Sequence, residues 1–191
     1  MLTMRIIMNW RNTTDHYGTV SMLIHWLMFL LLIAVFTTIE LRTIYPKGTE
    51  PREAIKALHF MLGLLVFILV WIRLGFRYIQ KKPVITPSLT SVQDFFAKTM
   101  HFALYILMIV LPILGWLTVS AAGKEILFFG IEVPSLIATD KVLAAELEDI
   151  HKSIGELGYY LIGLHTIAAL FHHYVQKDNT LTRLLPFNKK Q

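Results

Sequence analysis

The chain has 191 residues, of which 55% are hydrophobic and only 16% charged, and its mean hydropathy is +0.56. This composition lies outside the range of soluble domains and points to a small integral membrane protein, spanning 1–191 as a single membrane domain. The net charge of +5 does not argue for nucleic acid, because Lys and Arg gather between apolar spans, and the absence of cysteine excludes disulfides, thiolate iron–sulfur sites and Cys-x-x-Cys-His attachment.

The first twenty residues, MLTMRIIMNWRNTTDHYGTV, lack the apolar core and small-residue cleavage site of a signal peptide, so the first span is expected to stay in the mature protein. A spanning helix needs roughly 20 mainly apolar residues, and four stretches qualify: about 20–41, 54–78, 97–120 and 151–175. Pro51 suits the first turn of the second helix. Ser91-Val-Gln-Asp94 reads as a capping box introducing the third, and Pro112 is expected to kink it. Between the third and fourth spans, Leu143, Leu147 and Ile150 recur at helical spacing, which predicts a short amphipathic helix within a 121–150 loop. The fold class is therefore all-α, an up-down-up-down four-helix membrane bundle.

Basic residues set the orientation. Arg5, Arg11, Arg73, Arg77, Lys81, Lys82, Lys98, Lys177, Arg183, Lys189 and Lys190, eleven of the eighteen, fall at the N-terminus, around the 79–96 connection and in the C-terminal tail. Both termini are thus expected to be cytoplasmic.

Histidines are costly in a bilayer and usually face an interior site. Seven of the eight lie in or at the ends of the spans: His25, His59, His101, His151, His165, His172 and His173. From His151 to His165 is fourteen residues, about four turns and roughly 21 Å along one helix face. His25 lies one turn into a helix that starts inside, and His59 two turns into one that starts outside. Depth therefore pairs His25 with His165 at the inner level and His59 with His151 at the outer level. Two such pairs suit two bis-histidine haems, although imidazole also suits zinc or copper.

Three features favour haem. Gly63, Gly155 and Gly158 lie where a flat macrocycle needs close helix approach. The spans hold no acidic residue at ligand spacing. Arg73, fourteen residues after His59, stands at the inner level where a guanidinium can meet propionates. His172, two turns beyond His165, and His101, at similar depth, are candidates to hydrogen-bond a quinone. His173 is rotated away and reads as a boundary residue. A transporter using the histidine ladder for a metal ion is the competing reading, and an absorption spectrum separates the two.

IHW at 24–26, LHFMLG at 58–63, HKSIGELGYYLIGLHTIAALFHHY at 151–174 and KDNTLTRLLP at 177–186 together resemble the bacterial cytochrome b561 family over nearly all of residues 16–186. The resemblance implies a multi-pass protein of the bacterial inner membrane with two b haems, the iron of one ligated by His25 and His165 and of the other by His59 and His151. It implies an oxidoreductase in which superoxide from the periplasm reduces the haems and ubiquinone accepts the electrons. Lys152, beside His151, is then the candidate for attracting the anion. Relatives of this kind also act as quinone-linked electron-transfer subunits for a dehydrogenase or hydrogenase partner. The acidic outer segment at 132–149 does not read as a funnel for an anion and equally suits docking of a basic redox partner.

Overall fold

The computed structural model describes residues 9–185, with the backbone alone of Arg5–Ile6 and Phe187–Asn188. Lys189 and Lys190, counted above for orientation, and Pro186 of the terminal motif lie outside the described residues. The elements in chain order are β1 (Arg5–Ile6), α1 (Thr19–Leu41), α2 (Glu50–Ile79), α3 (Ser91–Ala121), β2 (Ile126–Phe128), β3 (Ile131–Val133), α4 (Lys141–Phe171) and β4 (Phe187–Asn188). The four helices are each long and apolar enough to cross a membrane and are suited to a membrane four-helix bundle.

Local signals explain where the helices begin. Gly18 precedes α1 where the backbone of Trp10 and Arg11 passes so close that a Cβ would meet it at 2.5–2.7 Å, and its N–H donates to Asn12 Oδ1 at 2.8 Å. Glu50 and Glu53 stand in the first turn of α2, at the positive end of the helix dipole. The capping box of α3 is one residue earlier than expected. Gln93 Oε1 accepts from Thr90 N at 2.9 Å and Gln93 N donates to Thr90 Oγ1 at 3.3 Å, while Asp94 pairs with Lys98 instead. Pro112 lies inside an uninterrupted α3.

The largest departure is at α4. The amphipathic stretch expected as a separate helix is its first turns, because Asp140 Oδ1 accepts the N–H groups of Val142 at 2.9 Å and Leu143 at 3.1 Å and nothing between 141 and 151 breaks the helix. The preceding loop instead carries the β2–β3 hairpin, with Phe128 opposite Ile131. Phe129 and Gly130 turn it at positive φ.

The chain forms two compact units, one of Met1–Leu27, Trp71–Leu104 and Tyr160–Gln191, the other of Met28–Val70 and Tyr105–Tyr159. The first holds the starts of α1 and α3 with the ends of α2 and α4, and so has successive helices running in opposite directions. It also holds the antiparallel pairing of Arg5 with Asn188 and of Ile6 with Phe187, so the two ends of the chain meet on one side. In the second, Leu64, Val119 and Ile126 form a buried cluster flanked by Phe60, Trp116, Phe128 and Val133. Large apolar side chains such as Leu23, Leu30, Phe102, Leu164 and Ile167 face outward. A lipid solvent covers such faces at no cost, whereas water would not.

Candidate metal and cofactor centres

In the unit formed by 28–70 and 105–159, His59 of α2 and His151 of α4 face one another with ring centroids 6.3 Å apart and planes at 80°. Both line a cavity of about 350 Å³ whose walls are mostly apolar, among them Leu32, Val35, Leu64, Leu107 and Leu111. His59 Nδ1 lies 3.2 Å from the Val35 carbonyl and 3.1 Å from Thr38 Oγ1. The Thr38 hydroxyl itself donates to Val35 O at 2.6 Å. A proton on Nδ1 satisfies this carbonyl and leaves Nε2 as the nitrogen able to ligate a metal. His151 is held differently: its backbone partner is Leu111, its Nδ1 makes no well-formed hydrogen bond, and its ring rests against Gly115, where a Cβ would come within 3.2 Å of Cε1.

The expected glycines divide into two kinds. Gly63 and Gly155 line the cavity, and a Cβ built on either meets nothing within 4 Å. Gly158 serves packing instead, since its Cβ would meet Phe36 Cζ at 2.9 Å and Leu107 Cδ2 at 3.2 Å. Charged groups edge the same cavity: Arg42, Lys56, Lys124 and Lys152 with Glu40, Glu148 and Glu156. Lys152 pairs with Glu148 at 2.8 Å and Asp149 at 3.7 Å, so its charge is offset locally. Arg42 Nε is buried without a hydrogen bond.

The other unit gathers the remaining histidines. Arg73 Nη2 donates to His25 Nδ1 at 2.8 Å, and Trp26 meets the His25 ring edge-on at 5.4 Å. His165 packs against His101 with centroids 5.4 Å apart, and His101 Nδ1 donates to the Ala97 carbonyl. His165 and His101 both lie within electrostatic range of His25. His172 opens a π-helical turn, His172–Gln176, and its Nδ1 lies 2.5 Å from Asp178 Oδ2. The expected inner residues therefore share one unit, with Arg73 on His25 and His101 on His165 as the nearest partners.

Among the described residues no group of three or more His, Asp or Glu stands at metal-binding distance. Imidazole pairs do not make the tetrahedral set of a structural zinc site. The His59–His151 pair would suit a haem: the two imidazoles, 6.3 Å apart on the wall of an apolar cavity, could both offer a ring nitrogen to one iron, and the open faces at Gly63 and Gly155 leave room for a flat ring. His25 and His165 offer the same donors. There a donor on His25 Nδ1 puts the ring proton on Nε2, so ligation by Nε2 requires Arg73 to turn to another acceptor such as a propionate.

Sequence reasoning missed Thr38, Gly115 and Asp178. Thr38 had a usable signal as a polar residue in an apolar span, 6% exposed in the fold. Gly115 and Asp178 take their roles from contacts that spacing along one helix does not reveal.

A model of the prokaryotic cytochrome b561 family matches residues 16–187. Cytochrome b561 homolog 1 of Escherichia coli is 33% identical over 175 residues, covering 92% of this chain and 99% of the homolog. A probable superoxide oxidase of Yersinia pestis, CybB, is 35% identical over 170 residues, covering 89% and 96%. Cytochrome b561 homolog 2 of Escherichia coli is 31% identical over 186 residues, covering 93% and 95%.

Proposed function

The chain belongs to the prokaryotic cytochrome b561 family of membrane haem electron-transfer proteins, and on that premise we propose that it works as one membrane domain with two b haems, carrying electrons from superoxide to ubiquinone across the bacterial inner membrane. The observation that carries the reading is the His59–His151 pair, with rings 6.3 Å apart on the wall of an apolar cavity. His59 and His151 hold the outer haem, and His25 and His165 the inner one. A haem held by either pair would supply one-electron oxidation and reduction.

The residues around the pairs orient and insulate. Val35 O and Thr38 fix the tautomer and direction of His59. Gly115 gives His151 its space, and the apolar wall formed by Leu32, Leu64 and Leu107 keeps water from the pair. At the inner group Arg73 counters the negative charge of propionates. His101 and His172 hydrogen-bond the quinone oxygens, and both termini, on one side because the spans are even in number, lie in the cytoplasm by the basic-residue bias. Lys152 draws the superoxide anion toward the outer rim. Outer-sphere transfer needs only approach, so full ligation does not prevent reaction.

The relative named as a probable superoxide oxidase supports the choice of donor. Rapid mixing of the purified protein with enzymatically generated superoxide, with ubiquinone present, is expected to reduce the haems faster than a control containing superoxide dismutase. Equal rates would contradict the reading. One observation favours a second reading: Glu148 and Asp149 neutralise Lys152, and such an acidic outer surface suits an electron-transfer subunit that docks a basic dehydrogenase or hydrogenase. Stable co-purification with such a partner, together with indifference to superoxide, would favour it.

A further inference from the structure

Asp178 is a buried carboxylate to which electron transfer gives no task. It is 4% exposed, and its Oδ1 accepts the Thr180 N–H at 2.8 Å while its Oδ2 meets His172 Nδ1 at 2.5 Å. Burial pushes its pKa up, but the hydrogen bonds from Thr180 and His172 outweigh this and hold the carboxyl below its usual range.

The backbone is shaped to bring the two side chains together. The π-helical turn ends at Lys177 with φ 55°, and Asp178 N then donates back to His172 O at 3.1 Å. The rest of the KDNTLTRLLP motif fastens this segment to the connection between α2 and α3. Asn179 Oδ1 accepts from Thr86 N at 2.9 Å, and Arg183 Nη1 donates to Pro83 O at 2.7 Å. Arg183, outside His172's own turn, is the charged group within electrostatic range of Asp178, and Lys82 lies within range of Arg183.

We infer that Asp178 is a positioning residue that holds His172 as the proton-transfer group of the quinone half-reaction. This rests on the proposed contact between His172 and ubiquinone. Converting a quinone to a quinol takes two electrons, delivered one at a time by reduced haem b, and two protons, one new O–H bond forming at each carbonyl oxygen. With Nδ1–H tied to the carboxylate, the protonated His172 presents Nε2–H to the quinone, gives that proton to the oxygen it contacts and is reprotonated from water, while the other oxygen takes its proton from water. The Asp178 carboxylate stabilises the charged imidazolium between turnovers. A carboxylate that merely closed a helix end would not need to grip a histidine by the ring nitrogen opposite its working one.

The test uses the haem-loaded protein with Asp178→Asn, Asp178→Glu and His172→Gln, and ubiquinone-1 as the probe. Haem content, equilibrium binding of ubiquinone-1 by calorimetry, the rate at which pre-reduced haems are oxidised by it, and the effect of D2O on that rate are measured together. Asp178→Asn is expected to keep its haems and its quinone binding, to lose roughly tenfold or more in oxidation rate, and to show a larger D2O effect than wild type. His172→Gln should share the defect, and Asp178→Glu should recover most of the rate. A wild-type protein whose haems ubiquinone-1 does not oxidise would overturn the quinone reading and this inference with it. If wild type reacts, an Asp178→Asn protein that reacts at the same rate, or slows only as haem or quinone binding falls, would overturn the inference alone.

Discussion

The two imidazoles facing the apolar cavity, His59 and His151, differ in what holds them. His59 Nδ1 is shared between Val35 O and Thr38 Oγ1, whereas His151 Nδ1 makes no well-formed hydrogen bond and its ring has the Leu111 backbone as its neighbour. Hydrogen bonding to the second ring nitrogen makes a ligand more basic. Thr38→Val is therefore expected to raise the midpoint potential of the haem held there, with Thr38→Ser close to wild type. A potentiometric titration in which Thr38→Val leaves both potentials in place would contradict the assignment. Asp178 makes a second prediction at this scale. Its folded pKa lies below the ordinary aspartate value of about 3.9, so its contribution to stability is complete above that value and is lost as pH falls through the lowered one. Asp178→Asn should cost about 1.5–3 kcal/mol at neutral pH and progressively less in acid, read from thermal denaturation in detergent against pH. The histidines could be picked out from the sequence because an ionisable group in an apolar span is conspicuous on its own. Thr38 carried a weaker signal of the same kind, a polar residue in an apolar span, whereas Gly115 and Asp178 could not be picked out, because what they do depends on contacts that spacing along one helix does not reveal.

At the scale of elements, the length of the apolar stretches located all four spans, and the errors fall at their ends. The capping box moved from Ser91 to Thr90 because Thr90 and Gln93 satisfy each other's backbone donors as well as the expected pair would have. The start of α4 moved back to Lys141 because charged, amphipathic turns continue a helix beyond the membrane while hydropathy alone marks only the apolar part. Glycine roles were the least legible, since spacing cannot tell a cavity wall from a tight crossing. Gly158→Ala forces a methyl against Phe36 and Leu107 and should destabilise the protein by about 1–3 kcal/mol. Gly63→Ala meets open space and should leave the haem-free protein as stable or stabilise it by about 0.5–1 kcal/mol. Thermal denaturation of the two variants in detergent checks the contrast, and equal losses would contradict it.

For the whole molecule, composition and basic-residue bias led to a four-span membrane protein, and the antiparallel pairing of Arg5 with Asn188 brings its two ends to one side. Depth along the helices anticipated the His59–His151 pair, which the fold brings together. It anticipated less at the inner group, where Arg73 engages His25 and His101 engages His165; hydrogen-bond partners across helices are set by rotation about each axis, which depth does not fix. The central claim is that each pair holds one haem. Dithionite-reduced spectra with haem quantified per chain test it most directly, on wild type and on His151→Ala. The expected result is two b haems per chain in wild type and one in the variant, with the inner haem retained. A wild type with a single haem, or a variant that keeps both, would contradict it.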